Sequence, residues 1–237
     1  AMHFADPLIT GRLIRRYKRF LADVELDGGG TITAHCPNTG AMLGCDEPGS
    51  PVWLSRSDSP GRKYPHTWEL VETRDGTLVG IHTGRTNGLV AEALANERIP
   101  ELAGYDSVQR EVRIVEMKSR LDFFLADGPG PSCYLEVKNV TAAVQEGVAL
   151  FPDAVSVRAA RHASDLAMLT RAGHRAVLLF CVQRGDVAEV RPADHIDPQY
   201  GRALRDAVAA GVEVCAYRCR VDPDQVVVSE PVRVALD

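Results

Sequence analysis

The sequence predicts a mixed α/β protein: a strand-rich barrel over residues 1–85, then an α/β domain over residues 86–237. Three observations carry this. Short strand patterns broken by glycine and proline fill the first part. Helical spacing sets in at Asn87 and returns at about residues 156–172 and 200–210. Between the last two helices, Ala176-Val-Leu-Leu-Phe-Cys-Val is a short continuous apolar run, as expected of a strand buried on both faces.

In order, Gly11 to Leu26 reads as a strand, with Leu13, Ile14, Tyr17, Phe20, Val24 and Leu26 as its apolar residues. A Gly-Gly-Gly turn at 28–30 follows, and Thr31-Ile-Thr-Ala-His35 resumes the extended pattern, so a hairpin is expected. Pro51 to Ser57, His66 to Glu72 and Leu78 to His82 are further strands, the last preceded by an Asp75-Gly76 turn. Five strands in this length suit an OB-type barrel, with Trp53 and Trp68 in its core. Asn87 to Asn96 spaces Leu89, Val90, Ala93 and Leu94 as a helix does. Strands are expected at 109–116, 119–125 and 133–140. The helix over 156–172 carries the stripe Ala159, Ala163, Leu166, Ala167, Leu169 and ends at Gly173. The second ends at Gly211, with a strand from Val212 to Arg220.

Hydrophobic residues make up 45% of the 237 positions and charged residues 25%, which excludes a mainly disordered or collagen-like chain. No apolar run approaches the ~20 residues of a membrane span, so no membrane association is expected. The N-terminal residues show no signal-peptide pattern. A net charge of −5 excludes coating of nucleic acid by bulk charge and leaves room for a local basic patch. The six cysteines form no C-x-x-C pair and read as reduced, buried thiols. A zinc reading of His35, Cys36 and Cys45 lacks a fourth ligand at standard spacing.

The most informative segment is Cys133-Tyr-Leu-Glu-Val-Lys-Asn-Val140. Period-two alternation puts Tyr134, Glu136 and Lys138 on one face. Upstream, Ser119-Arg-Leu-Asp-Phe-Phe-Leu125 sets Asp122 among large apolar residues, where an unpaired charge is costly. A hairpin through the Gly/Pro-rich loop 126–132 would bring Asp122 to Glu136 and Lys138. Such a set suits metal-dependent hydrolysis. Asp122 and Glu136 offer hard oxygen ligands to Mg²⁺, and Lys138 can position the attacking water or stabilise negative charge. The simpler alternative is an exposed charged face.

The segments Arg16-Tyr-Lys-Arg-Phe-Leu-Ala-Asp-Val24, His35-Cys-Pro-Asn-Thr-Gly40, Thr67-Trp-Glu-Leu70, Leu121-Asp122, Glu136-Val-Lys-Asn-Val-Thr141 and Phe151-Pro-Asp-Ala-Val155 resemble the sugar fermentation stimulation protein A family, from about residue 8 to the end. The resemblance implies an OB-type barrel followed by a PD-(D/E)XK nuclease-like domain. It implies a cytoplasmic, non-sequence-specific DNA-binding protein with a regulatory role in sugar (maltose) metabolism. The alternative reading is a Mg²⁺-dependent DNA nuclease. The oligomeric state stays open, with a homodimer among the options. Asp122, Glu136 and Lys138 fall on the nuclease-core positions. Glu92 is the natural candidate for a catalytic glutamate from the first helix, and Glu111 the second. The chain departs from the family pattern at Gly88, at Ala142 and over Ser156-Val-Arg-Ala159, where a glutamate is lost.

The resemblance also bears on the cations. Arg12, Arg15, Arg16, Lys18 and Arg19 fall in eight positions with Tyr17 and Phe20 interleaved and no acid among them. A barrel can combine such cations with aromatic stacking on bases; the alternative is a solvated strand edge. Arg15, Arg16, Lys18 and Arg19 are the candidate nucleic-acid contacts, joined by Asn38 and by Arg62 and Lys63 of a Ser/Pro/Gly-rich loop. Arg158, Arg161 and His162 lie early on the long helix as candidate phosphate contacts, with Arg158 foremost. Asp153 could cap that helix or turn back toward Glu136.

Overall fold

The computed structural model describes residues 2–117 and 119–237. After a two-residue strand, β1 (Met2–His3), comes the antiparallel run β2 (Ile9–Tyr17), β3 (Leu21–Leu26) and β4 (Thr31–His35). β5 (Pro51–Arg56) pairs with β2, and β6 (His66–Glu72) pairs with β5. A parallel contact of β4 with β6, His35 to Thr67, closes these five strands into a barrel, and β7 (Leu78–Gly80) adds to β6. Trp68 fills the barrel with Leu13, Val24, Met42, Val52 and Leu54, all fully buried.

The expected strand over Gly11 to Leu26 is two strands. The chain reverses at Lys18 and Arg19, both left-handed at φ 53° and 65°. Neither is glycine, so the apolar pattern runs through the turn without punctuation. The barrel division also shifts at its start, because β1 joins the second sheet and not the barrel.

The second domain begins with α1 (Thr86–Ala95) and continues through β8 (Ser107–Ile114), β9 (Ser119–Ala126) and β10 (Cys133–Val140). Next come β11 (Ala142–Gln145), β12 (Val148–Phe151), α2 (Val157–Arg171), β13 (Arg175–Val182), β14 (Glu189–Pro192), α3 (Pro198–Ala209), β15 (Glu213–Val221) and β16 (Gln225–Val234). The sheet order is β11-β12-β14-β16-β15-β13-β10-β9-β8, with β1 paired to β16. β10, β13 and β15 run parallel at its centre. Their alternate residues feed two cores: Leu178 and Phe180 pack with α2 and α3, Val177 and Leu179 with α1. The two helices on the first face share one capping carboxylate. Asp197 accepts from Tyr200 N to cap α3 and from Ser156 N at the start of α2, where Ser156 Oγ itself accepts from Ala159 N. No described helix is long and apolar enough to cross a membrane.

Three joints tie barrel to domain. Leu70 of β6 is buried with Leu89 and Val90 of α1. The fully buried Gln183 takes Gly80 N on its carbonyl, and its amide donates to Asn139 Oδ1 and Thr86 Oγ1. The loop after β4 receives Asp153, whose Oδ2 accepts from Met42 N at 3.0 Å. Gly40 makes that approach feasible, since a Cβ there would lie 2.7 Å from both Asp153 oxygens.

Gly40→Ala is expected to destabilise the protein by roughly 1–3 kcal/mol through this clash. The cost should shrink in an Asp153→Ala background. Urea denaturation of the four proteins of that cycle measures both; equal costs in the two backgrounds would place the strain elsewhere.

Candidate active site

The site grows from the point where β9 and β10 stop pairing. Their antiparallel ladder runs through Cys133–Leu125, Tyr134–Phe124 and Leu135–Phe123. One step further the register sets Asp122 opposite Glu136. There the Asp122 side chain replaces the backbone: its Oδ2 accepts the Val137 N–H at 2.8 Å. Its Oδ1 accepts from the Asn87 amide at 2.9 Å, on the first turn of α1. The strands part around a carboxylate that satisfies one of the freed donors.

Glu136 is 3% exposed, and its neighbours on β13 belong to the core beneath α2. Glu136 Oε2 lies 3.2 Å from Lys138 Nζ and 2.6 Å from His162 Nδ1. Its other oxygen, Oε1, is buried with no hydrogen-bond partner among the described residues. Lys138 Nζ is in turn 2.8 Å from His162 Nδ1.

Electrostatics pushes the two acids apart. Burial drives the Asp122 carboxyl up, and the hydrogen bond and charge of Glu136 add to it, reaching about 7. Burial acts upward on Glu136 as well. Hydrogen bonds from His162 and Asp122, with the charge of Lys138, outweigh it and bring Glu136 to about 2. The pair therefore behaves as a dyad holding one proton toward neutrality.

The donor set fits a hard divalent cation. Two carboxylates converge, and one buried oxygen lacks any other partner. Among the described residues no three His, Cys, Asp or Glu side chains group to hold an ion. A cation here would draw its remaining ligands from backbone oxygen and water, as Mg²⁺ commonly does.

Asp122, Glu136 and Lys138 thus meet as the sequence suggests, and Asn87 and His162 join them. The helix residue hydrogen-bonded to Asp122 is Asn87, on the first turn of α1; Glu92 stands five positions on and ~140° around the helix. His162 is no surface phosphate contact: it is 6% exposed and faces the sheet. The signal for this was its spacing, three residues after Ala159 and four before Leu166, both core residues.

The expected nucleic-acid contacts divide. Arg16 is framework: its guanidinium donates to the carbonyls of Arg19, Asn38 and Gly40, and its side chain is 9% exposed. Asn38 is buried, bonded to Ile81 O and Gly40 N. Both shape the loop that receives Asp153. Arg15 is exposed over the Tyr17 ring at 4.2 Å and pairs with Asp23. Lys18 and Arg19 sit exposed at the β2–β3 turn beside Phe20, itself 46% exposed. Lys63 is exposed over Tyr64. Arg62 donates to Thr67 and lines a cleft of about 610 Å³ with Arg56, His82 and Arg85. Arg158 is exposed on α2.

Residues 84–225 match the family model described as the sugar fermentation stimulation protein RE domain, and residues 14–81 the SfsA N-terminal OB domain. A sugar fermentation stimulation protein homolog of Alkalilimnicola ehrlichii is 60% identical over 225 residues, covering 94% of each chain. Its counterpart from Thioalkalivibrio sulfidiphilus is 57% identical over 235 residues, covering 99% of this chain and 98% of the other. Among solved structures, Pyrococcus furiosus SfsA in complex with Ca²⁺ superposes with a TM-score of 0.86 at 26% identity, covering 99% of this chain and 98% of that one.

The Asp122 carboxyl titrates near 7 in the folded protein against an ordinary 3.8. Its folded value is raised, so the stability it contributes is full below 3.8 and is lost as pH rises through about 7. Asp122→Asn cannot ionise and so escapes this pH-dependent loss, while its amide nitrogen, which cannot accept from Val137 N or Asn87, costs it an amount independent of pH. Thermal melts in chelator should therefore favour the variant increasingly from about pH 4 to about pH 8. Each kcal/mol gained corresponds to roughly 2–4 °C in a chain of this length. A difference that does not vary with pH would show that Asp122 ionises as an ordinary carboxylate.

Proposed function

Because the chain belongs to the sugar fermentation stimulation protein family, we propose that it binds DNA without strong sequence preference and hydrolyses phosphodiesters at a divalent-cation site formed by Asp122 and Glu136. The observation that carries this reading is that Glu136, opposite Asp122, has Oε2 held by Lys138 and His162 while its buried Oε1 has no hydrogen-bond partner among the described residues. The order α1–β8–β9–β10–α2–β13, with the short β11 and β12 inserted before α2 and the acids on β9 and β10, supports a PD-(D/E)XK nuclease-like reading of the domain. The Pyrococcus furiosus relative was solved in complex with Ca²⁺, which supports a divalent cation as a ligand. Magnesium, in a cytoplasmic setting, is the ion proposed.

A bound cation supplies neutralisation of a phosphate oxygen and a more acidic water. The chain's own groups do the rest. Asp122 is held by Asn87 and the Val137 N–H, so its carboxylate is aimed before any ligand arrives. Lys138 presents its ammonium beside Glu136, where it can orient a water or stabilise charge developing on phosphate. The exposed cation–aromatic pairs Arg15–Tyr17 and Lys63–Tyr64, with Lys18 and Arg19 at the β2–β3 turn, supply a barrel surface for phosphates and bases. With a net charge of −5, affinity from so local a patch should fall steeply with salt. A regulatory role in sugar metabolism would act through this DNA binding.

The test is cleavage of labelled single-stranded, duplex and branched DNA with Mg²⁺ or Mn²⁺. The parent should cut, and Asp122→Ala, Glu136→Ala and Lys138→Ala should each lose on the order of 10²–10³ in rate while still binding DNA. Intact binding with no cleavage by any of the four proteins would reduce the function to DNA binding. Cleavage retained by Glu136→Ala would move the chemistry elsewhere.

A further inference from the structure

We propose that His162 is a positioning residue that holds Glu136 Oε2 and Lys138 Nζ, so that Glu136 turns its free Oε1 toward a cation. The inference rests on the cation-site reading above and assigns a role to a residue outside the Asp–Glu–Lys set.

The placement comes from α2. Small residues on its buried face, Ala159, Ala160 and Ala163, let the helix lie close to the sheet. Its first turn is pinned twice: Ser156 Oγ accepts from Ala159 N at 3.0 Å, and Ser156 N donates to Asp197 Oδ2 at 2.8 Å. His162 follows on the second turn, so its ring arrives over β10 from a fixed backbone.

The contacts set the chemistry. His162 Nδ1 lies 2.6 Å from Glu136 Oε2 and 2.8 Å from Lys138 Nζ, while Lys138 Nζ lies 3.2 Å from the same Oε2. One ring nitrogen cannot donate to a carboxylate and accept from an ammonium at once. In one tautomer it accepts from Lys138; in the other it donates to Glu136. Either way Nδ1 caps the Glu136–Lys138 ion pair and fixes where the two side chains meet. Without it, Lys138 would hold Oε2 alone, and the carboxylate could turn so that the ammonium competes with a cation for it. Hydrogen bonds that anchor one oxygen of a ligating carboxylate leave the other to the metal. Loss of such support commonly costs 10–100-fold in metal affinity or activity.

Two substitutions separate positioning from packing, because they err in opposite directions. His162→Leu fills the buried space and removes the nitrogen. His162→Asn underfills it and keeps a polar atom near the Nδ1 position. Mn²⁺ affinity by calorimetry and kcat and KM on DNA are measured on the full chain, with thermal melts to confirm folding. His162→Leu should lose roughly 10–100-fold in Mn²⁺ affinity or in kcat, with KM for DNA held. His162→Asn should recover most of that loss. The reverse ranking, Leu near the parent and Asn impaired, would overturn the inference in favour of packing. Equal Mn²⁺ affinity and turnover in all three proteins would overturn it too. If the parent binds Mn²⁺ and leaves DNA uncut, the hydrolytic reading fails, and the Mn²⁺ ranking alone decides the role of His162.

Discussion

Two carboxylates facing each other across β9 and β10, in a place with little water, are the constraint around which this protein is arranged. A buried acid is costly unless each oxygen finds a partner, and two side by side repel. The fold answers with specific donors. The β9–β10 ladder gives up a backbone bond so that the Val137 N–H can serve Asp122. α1 begins where its first turn delivers the Asn87 amide. α2 brings His162 to Glu136, and β10 itself supplies Lys138 two residues on. Among the described residues, no N–H donor reaches the remaining oxygen, Glu136 Oε1.

The elements that bring these donors are themselves braced. Asp197 binds the starts of α2 and α3 together, which fixes the approach of His162. Gln183, at the end of β13, joins Gly80 at the barrel's end to Thr86 and Asn139 on either side of the site. The loop after β4 is shaped by Arg16 and Asn38 and closes on Asp153. The barrel therefore does more than present an exposed surface, since its inner polar residues position the segment that leads into α2.

Periodicity made much of this legible. β10 and the apolar run of β13 stand close to where alternation and continuous hydrophobicity put them, and α1, α2 and α3 fall within a residue or two of expectation. The Asp122–Glu136 pairing followed from a short loop and antiparallel register. The misreadings share a cause. Lys18 and Arg19 turn the chain without glycine, so β2 and β3 ran together as one strand. Arg16 and Asn38 carry polar side chains whose partners are backbone carbonyls and amides distant in sequence, and composition cannot distinguish those from phosphate. The short strands β11, β12 and β14 offered too few residues to show a period.

The ten-residue β16 went unread, but by itself the sequence determined the class of the two domains, the three helices and the strands between them that carry the site, and the three residues of the Asp–Glu–Lys set. These are matters of local alternation and of spacing along one hairpin. Only the tertiary structure decided that Asn87 reaches Asp122, that His162 turns inward, that β1 crosses to the second sheet, and that Arg16 braces a loop. Each of those depends on how a helix face or a loop is rotated against a distant strand. That rotation is set by packing between elements, and no window of neighbouring residues contains it.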